Sequence, residues 1–296
     1  RRDGSTKFGP DNRFGYFPST SVGWIASAEN FLADNKLINF LKFRGSYGII
    51  GNDKIRANSF RGVLDGEGTY VLNNNLNFGQ AVGVLPNSII GWEEQKTLDI
   101  GFDMRLFDGK VDITADYFQK RTDGLLLQPP VSGLLGASAP GTQAPFINSG
   151  IVDNTGFEFA IGYSKDFSDD MTFAINYNVT FLNNEVQTVN DGVGFLQGGS
   201  FGIGQDFPSR MEAGKPIGYF FGLETNGLFQ NQGEVDAHAT QANAGPGDLR
   251  FVDQNSDGII DSDDRIDIGN PIPEATMGLN LSFDYKNFDF GAYAFR

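Results

Sequence analysis

The residues best suited to chemistry lie between Asp253 and Asp264. The run reads Asp253-Gln254-Asn255-Ser256-Asp257-Gly258-Ile259-Ile260-Asp261-Ser262-Asp263-Asp264. It fits the calcium-loop pattern D-x-[DN]-x-[DN]-G, where hard oxygen ligands recur at alternate positions and a glycine permits a sharp turn. Asp253, Asn255, Asp257 and Asp261 would supply side-chain oxygens. Ile259 would offer its backbone carbonyl and pack its side chain inward. Asp264 would close the site, with a shorter reach than the glutamate of an EF-hand. From Asp248 to Asp267 there are seven acids and two bases, a net charge of −5. Crowded carboxylates repel, and a divalent cation relieves that repulsion. The expectation is a structural Ca2+ held in a β context without flanking helices. The alternative is a solvated loop of Asx-turns with no tightly held ion.

Other constellations carry less. Glu93 and Glu94 are adjacent in a strand pattern, so they point to opposite faces and do not form an acid–base pair. Gly202 and Gly204 lack the strand–turn–helix setting of a phosphate loop. His238, the only histidine, sits in a polar run and is expected to be exposed. Trp24 and Trp92 read as packing or interfacial residues rather than a sugar platform. There is no cysteine, hence no disulfide or thiolate chemistry. No nucleophile–base pair stands out, so no catalytic residue is assigned.

Composition narrows the class. The chain of 296 residues has 22 bases and 37 acids, a net charge of −15. That excess argues against a nucleic-acid partner, which needs basic patches. No run of eighteen apolar residues occurs, so helical membrane spans are not expected. A membrane barrel stays open, because its strands alternate and average near neutral. The chain starts at Arg1-Arg2-Asp3-Gly4 and stops in a strand-like run, which reads as a piece of a longer protein.

The elements that must position the acidic loop show period two. Leu98, Ile100, Phe102, Met104 and Leu106 alternate with Asp99, Gly101, Asp103 and Arg105. Asp108-Gly109 follows, a two-residue hairpin turn. Val111, Ile113, Ala115 and Tyr117 return. The pattern recurs at Phe157–Tyr163, Met171–Phe181, Met277–Tyr285 and Phe288–Phe290, and earlier at Leu41–Ile49. A less regular first strand is expected over about 14–28, and about eight strands are readable in all. Turns near Asp34, Asp108, Asp166 and Asn287 are short. Connections at about 51–89, 123–151 and 186–274 are long, with Gly218–Phe221 and Leu228–Gln230 expected to be loop structure. The predicted fold is all-β, an antiparallel transmembrane β-barrel portion with short periplasmic turns and long extracellular loops. A soluble β-sandwich is the alternative, as a calcium-stabilised adhesin or binding module. Three features favour the membrane. The apolar faces are free of charge over about 9–11 residues. Tyr47, Tyr117, Tyr163 and Tyr285 lie toward strand ends, as in an aromatic girdle. The opposite faces are polar, where a sandwich would be apolar.

Several segments together resemble one family. Arg1-Arg2-Asp3-Gly4-Ser5, Phe8-Gly9-Pro10, Phe17-Pro18-Ser19 and Gly23-Trp24 look like the SusC/RagA group of TonB-dependent outer-membrane transporters. So do Leu41–Gly48, Trp92-Glu93, Leu98–Phe102, Asn148-Ser149-Gly150, Asn154–Glu158, Pro216–Phe220 and Gly247–Pro271. The family often has a basic residue near the position of Asp153, which this chain lacks. The resemblance covers nearly the whole chain, 1–296, as part of one barrel domain in its C-terminal half. It implies a 22-stranded barrel whose plug, and with it the TonB contact, lies outside this chain. It further implies an outer-membrane location, a SusD-like lipoprotein lid, and import of oligosaccharides or peptides. A passive porin is a third reading. The loop aromatics Tyr70, Phe195, Phe201, Phe207 and Phe229 could touch a ligand or pack the loops, and no spacing argument chooses between these.

Overall fold

The computed structural model describes residues 1–33, 35–64, 66–129, 143–189, 194–200, 202 and 206–296. Asp34, Phe201 and Gly204, named above, lie outside the described residues. The chain divides into two compact units, residues 1–190 with 274–296, and residues 191–273.

The first unit is built on one eight-stranded antiparallel sheet. Its strands are β1 (Ser19–Ile25), β2 (Ile38–Asn52), β3 (Glu93–Leu106), β4 (Val111–Asp123), β5 (Ile151–Ser168), β6 (Met171–Thr188), β7 (Ala275–Tyr285) and β8 (Phe288–Phe295). Each strand pairs with the next in sequence, so the sheet is an up-and-down meander with β1 and β8 at its edges. The short turns set the register. Between β3 and β4, Asp108 and Gly109 have φ of 59° and 78°, and Lys110 N donates to Phe107 O at 3.3 Å. Phe107 too has a positive φ of 55°, and the last paired residues are Leu106 and Val111, so the expected two-residue hairpin is a four-residue connection, 107–110. Asn39 Oδ1 accepts from the Asp108 amide at 2.7 Å and so ties this turn to β2. β7 and β8 join through Lys286-Asn287, with Tyr285 opposite Phe288.

Because side chains alternate, this register sorts them onto two faces. One row runs Trp24, Phe43, Phe102, Ala115, Phe159, Val179 and Met277 across seven strands. The next row runs Gly45, Ile100, Tyr117, Phe157, Phe181 and Ala275. This apolar face is not a core. Val22 is 71 %, Ile100 54 % and Phe181 51 % exposed. Among the described residues no second large sheet exists to cover it, as the sandwich alternative would need.

The fully buried apolar cluster lies instead in the long connections and the N-terminal segment. Phe8, Ile55 and Ile90 pack with Phe60, Trp92, Leu126 and Phe146. Trp92 is a packing residue, its ring 5.2 Å from both Phe8 and Phe17. Asn148 stitches these connections together: its Oδ1 accepts from Gly91 N at 2.8 Å, and its Nδ2 donates to Gly91 O and Gly124 O at 3.0 Å.

Two further expectations change. The first strand does not span 14–28. Phe14–Tyr16 pairs with Arg2–Gly4 in a separate ribbon, β1 starts at Ser19, and Ala26–Ala28 is a 3-10 turn. The break falls at Pro18, which has no N–H to offer a ladder. The connection around position 34 is also longer than a tight turn, running from Ala26 to Leu37.

The second unit is folded, not an irregular loop. A four-stranded sheet joins Phe195–Gln197, Ser209–Glu212, Tyr219–Leu223 and Arg265–Gly269 in that order. Thr225–Leu228 pairs with Leu249–Phe251. Of the two runs expected to be loop structure, 218–221 falls largely in a strand, whereas of 228–230 only Leu228 does. Tyr219, Phe229 and Met211 are buried inside this unit.

Candidate functional site

The face of the large sheet opposite the apolar one is polar, and its densest charge cluster centres on Arg44. Arg44 Nη2 donates to Asp116 Oδ2 at 2.7 Å and Nε to Asp103 Oδ2 at 3.1 Å, while Nη1 lies 3.8 Å from Asp99 Oδ1. Arg44 on β2 and Asp116 on β4 are separated by β3, where Gly101 faces both. The contact depends on that glycine. A Cβ at position 101 would lie 1.9 Å from Asp116 Oδ1 and 2.6 Å from Ala115 O. Asp116 is thereby laid flat across β3 and is 7 % exposed. Its Oδ1 has no hydrogen-bond partner, and the one cation serves three carboxylates. Farther along the same face Glu158 stands opposite Asp116 and Asp284 opposite Thr172, with neutral pairs between them such as Asn176 opposite Asn280 and Thr180 opposite Thr276.

The apolar face has sharp margins. On β3 and β4 it ends beyond Leu98 and Tyr117. Lys96 Nζ then reaches Asp123 Oδ2 at 3.1 Å, and Arg121 grips Asp153 with two bonds of 2.7 and 2.6 Å. Arg121 and Asp153 are directly opposed across β4 and β5, so the base that Asp153 lacks in its own segment comes from the neighbouring strand. From Leu98 to Leu106 the charge-free stretch is about 27 Å long at about 3.4 Å per residue.

In the second unit the Asp253–Asp264 loop forms a chain of Asx-turns. Asp253 accepts from Ser256 N at 2.7 Å and Gly258 N at 2.9 Å. Asn255 accepts from Asp257 N, Asp257 from Ile259 N, and Asp261 from Asp263 N, all at 2.8–2.9 Å. Gly258 has φ of 85°, as its position in the pattern demands. A short parallel bridge ties Ile259 to Thr240 through Thr240 N to Gly258 O and Ile260 N to Thr240 O. The Ile259 carbonyl stays outside that bridge.

Two details of the expected site differ. The Ile259 side chain is 51 % exposed rather than packed inward. Asp264 is fully buried and turned back on its own loop. It accepts from Asp261 N at 3.0 Å and from Gln254 N at 2.8 Å, closing a capping box over Ser262–Asp264. A shorter side chain at this position serves the backbone rather than reaching outward. These bonds, led by that from Asp261, hold the Asp264 carboxyl below its ordinary range despite its burial. The donors are the hard oxygens calcium prefers. Among the described residues, however, no three acidic, histidine or cysteine side chains converge as a metal-holding group.

The remaining candidates sort simply. His238 is not exposed; its Nε2 lies 2.9 Å from Phe251 O, and its ring meets Phe229 edge-on at 5.2 Å. Glu93 and Glu94 do not cooperate: Glu93 binds Asn52 Nδ2 and Leu126 N, and Glu94 lies 4.0 Å from Lys96. Trp24 stacks on Phe43 on the apolar face with its Nε1 bonded to Glu29.

A family model described as TonB dependent receptor-like, beta-barrel, matches residues 1–295. The chain belongs to the TonB-dependent receptor β-barrel family. The TonB-dependent receptor P3 of Formosa agariphila is 32 % identical over 99 % of this chain and 29 % of that protein. The TonB-dependent receptor SusC of Bacteroides thetaiotaomicron is 31 % identical over 98 % of this chain and 28 % of its own length. In the solved structure of the RagAB peptide transporter, one chain superposes with a TM-score of 0.78 at 19 % identity, covering 99 % of this chain and 30 % of that one. The chain thus spans under a third of these relatives, and its open eight-stranded sheet is a portion of the TonB-dependent receptor barrel fold.

Within that receptor barrel, the Arg44 cluster is what sequence reading missed. Its members sit at polar positions of the alternating pattern, but only the register brings 44, 99, 103 and 116 together. Replacing Gly101 with alanine is expected to destabilise the full-length barrel by about 1–3 kcal/mol, read as a lower temperature for loss of the compact band on gels. Adding Asp116→Ala should restore part of the loss, since Ala115 O remains in the way. Unchanged stability of Gly101→Ala would contradict this geometry. The depressed Asp264 carboxyl predicts a pH dependence. Its contribution is complete above the ordinary carboxylate range of about pH 4 and fades as pH falls through the lower folded value. Protection of the Gln254 and Asp261 amides from hydrogen exchange, taken relative to the free-peptide rate at the same pH, should fall in that acid window. Asp264→Asn should show fast exchange already at neutral pH, and an acid response identical to the native protein would argue against the assignment.

Proposed function

We propose that the protein of which this chain is part is an outer-membrane active importer of oligosaccharides or peptides. It is energised through TonB and works with a SusD-like surface lipoprotein; it is not an enzyme. The observation that carries the reading is the two-faced sheet in a chain of this receptor family. One face is apolar and uncovered, bounded by Tyr47 and Tyr117 at one margin and by Tyr285 near the opposite turns. A strand tilted by about 40° turns a 27 Å stretch into roughly 20 Å of height, near the ~25 Å apolar band of membrane barrels. The other face carries Arg44, Asp99, Asp103 and Asp116 and the Asn- and Thr-lined rows, which suits a route or a plug contact. The short turns then face the periplasm, and the long connections leave the strands on the outer side, where a lid protein and substrate would meet them. In this reading the acidic loop takes a structural Ca2+ through Asp253, Asn255, Asp257, Asp261 and the Ile259 carbonyl, while Asp264 braces the backbone.

The full-length protein should fractionate with the outer membrane and run heat-modifiably after detergent extraction. Ile100→Arg, in the middle of the apolar face, should cost about 2–4 kcal/mol of barrel stability. The same change at Gln119, beyond the margin, should cost little. A detergent-free soluble protein, or equal tolerance at both positions, would overturn the membrane reading. Calcium titration of the full-length protein should give saturable binding that Asp257→Ala abolishes; identical titrations would remove calcium from the account.

A further inference from the structure

The 191–273 unit contains thirteen acids and four bases. Three of the bases are ion-paired within it: Lys215 with Asp267 at 2.9 Å, Arg265 with Asp206 at 3.3 Å and Arg250 with Glu234 at 3.8 Å. Arg210 alone has no carboxylate partner among the described residues, although acids outnumber bases threefold. It is nevertheless held in place. Its guanidinium lies 3.4 Å from the centroid of Phe221 and 4.3 Å from that of Phe195. The nearest carboxylate on its own strand, Glu212, is taken by the Tyr219 hydroxyl. Burial first, and that bond second, push the Tyr219 hydroxyl up to about 12 against the opposing pull of Arg210, so it stays a neutral donor to Glu212 while its oxygen accepts from one edge of the Arg210 guanidinium.

A guanidinium with aromatic rings against it is fixed in orientation and keeps only its N–H rim for hydrogen bonding. That rim is a planar fork matched to the two oxygens of a carboxylate. Phe221 also lines a cavity of about 560 Å³ whose walls are mostly apolar, with Phe220, Leu223, Phe251 and Ile268, and whose charged rim is Arg265, Asp206 and Asp261, so room for an uncharged group adjoins the ring that carries Arg210.

We propose that Arg210 is a recognition residue for a carboxylate on the imported substrate, with the cavity beside Phe221 receiving an adjoining less polar part. This rests on the importer reading and adds a substrate class to it. A peptide C-terminus and a uronic-acid sugar share the chemistry, and the test separates them. Full-length transporter in detergent is titrated with a random tetrapeptide pool, free acid against C-terminal amide. It is also titrated with an oligogalacturonide pool, free acid against methyl ester. One free-acid pool should bind, and blocking its carboxylates should weaken binding on the order of ten- to a hundredfold. Arg210→Gln should produce a similar loss. Arg210→Lys, which keeps charge without the fork, should also bind more weakly while retaining native heat-modifiability. Binding of neither acid pool, equal binding of acid and blocked forms, or undiminished binding by both variants would overturn the proposal. Wild-type assembly in the outer membrane is scored separately, so a failure of the importer reading is distinguishable from a failure of Arg210.

Discussion

Every interior strand of the large sheet satisfies its backbone only through the strands beside it. An unpaired N–H or C=O taken out of water costs several kcal/mol, so continuity of the antiparallel ladder is the constraint on which the rest depends. From β2 to β7 each strand has two partners, both its nearest long strands in sequence. Once that ladder is in register, the side-chain period of two leaves no freedom about which residues share a face. Phe102 must sit with Phe43 and Ala115, and Gly101 must sit with Arg44 and Asp116. The Arg44 cluster is therefore a product of register as much as of residue type. A slip of one position would place its charges among the rings.

The same constraint explains what could be read from sequence. Alternation is local, so β2 through β8 are visible in runs such as Leu41–Ile49, Leu98–Leu106 and Met171–Phe181, and Asp108-Gly109 announces its turn. Long-range pairing is not local. Arg44 and Asp103 are far apart along the chain, and no pattern within either strand reports that they meet. The first strand failed for a different reason. Phe14–Ala28 holds enough apolar residues to look continuous, but Pro18 interrupts it, and Phe17 instead packs edge-on against Trp92.

The acidic loop was legible as a spacing of oxygen atoms but not as a fold. Its motif places Gly258 at a positive φ and lets the alternate acids accept backbone N–H groups. What spacing could not convey is that Asp264 spends its oxygens on Gln254 and Asp261. A carboxylate one methylene shorter than glutamate stays within reach of its own turn, where three amide groups need an acceptor. His238 shows the same limit. Its polar neighbours suggested exposure, yet the backbone brings Phe251 O and Phe229 to it.

Charge in each unit lies where it can be solvated or paired. The acids of the 191–273 unit exceed its bases by nine, well over half of the net charge of the chain. Water and salt screen such a concentration beyond about 8 Å, so it is sustainable in a solvated unit and would be ruinous on a face that meets hydrocarbon. The large sheet obeys the complementary rule. Charge is absent from its apolar face between the margins, returns at Lys96, Arg121, Asp123 and Asp153 where that face ends, and otherwise turns to the opposite side as the Arg44 cluster. Each group of charges thus lies where its solvation or its pairing can be met, and the only face left without either is the one that lipid would cover.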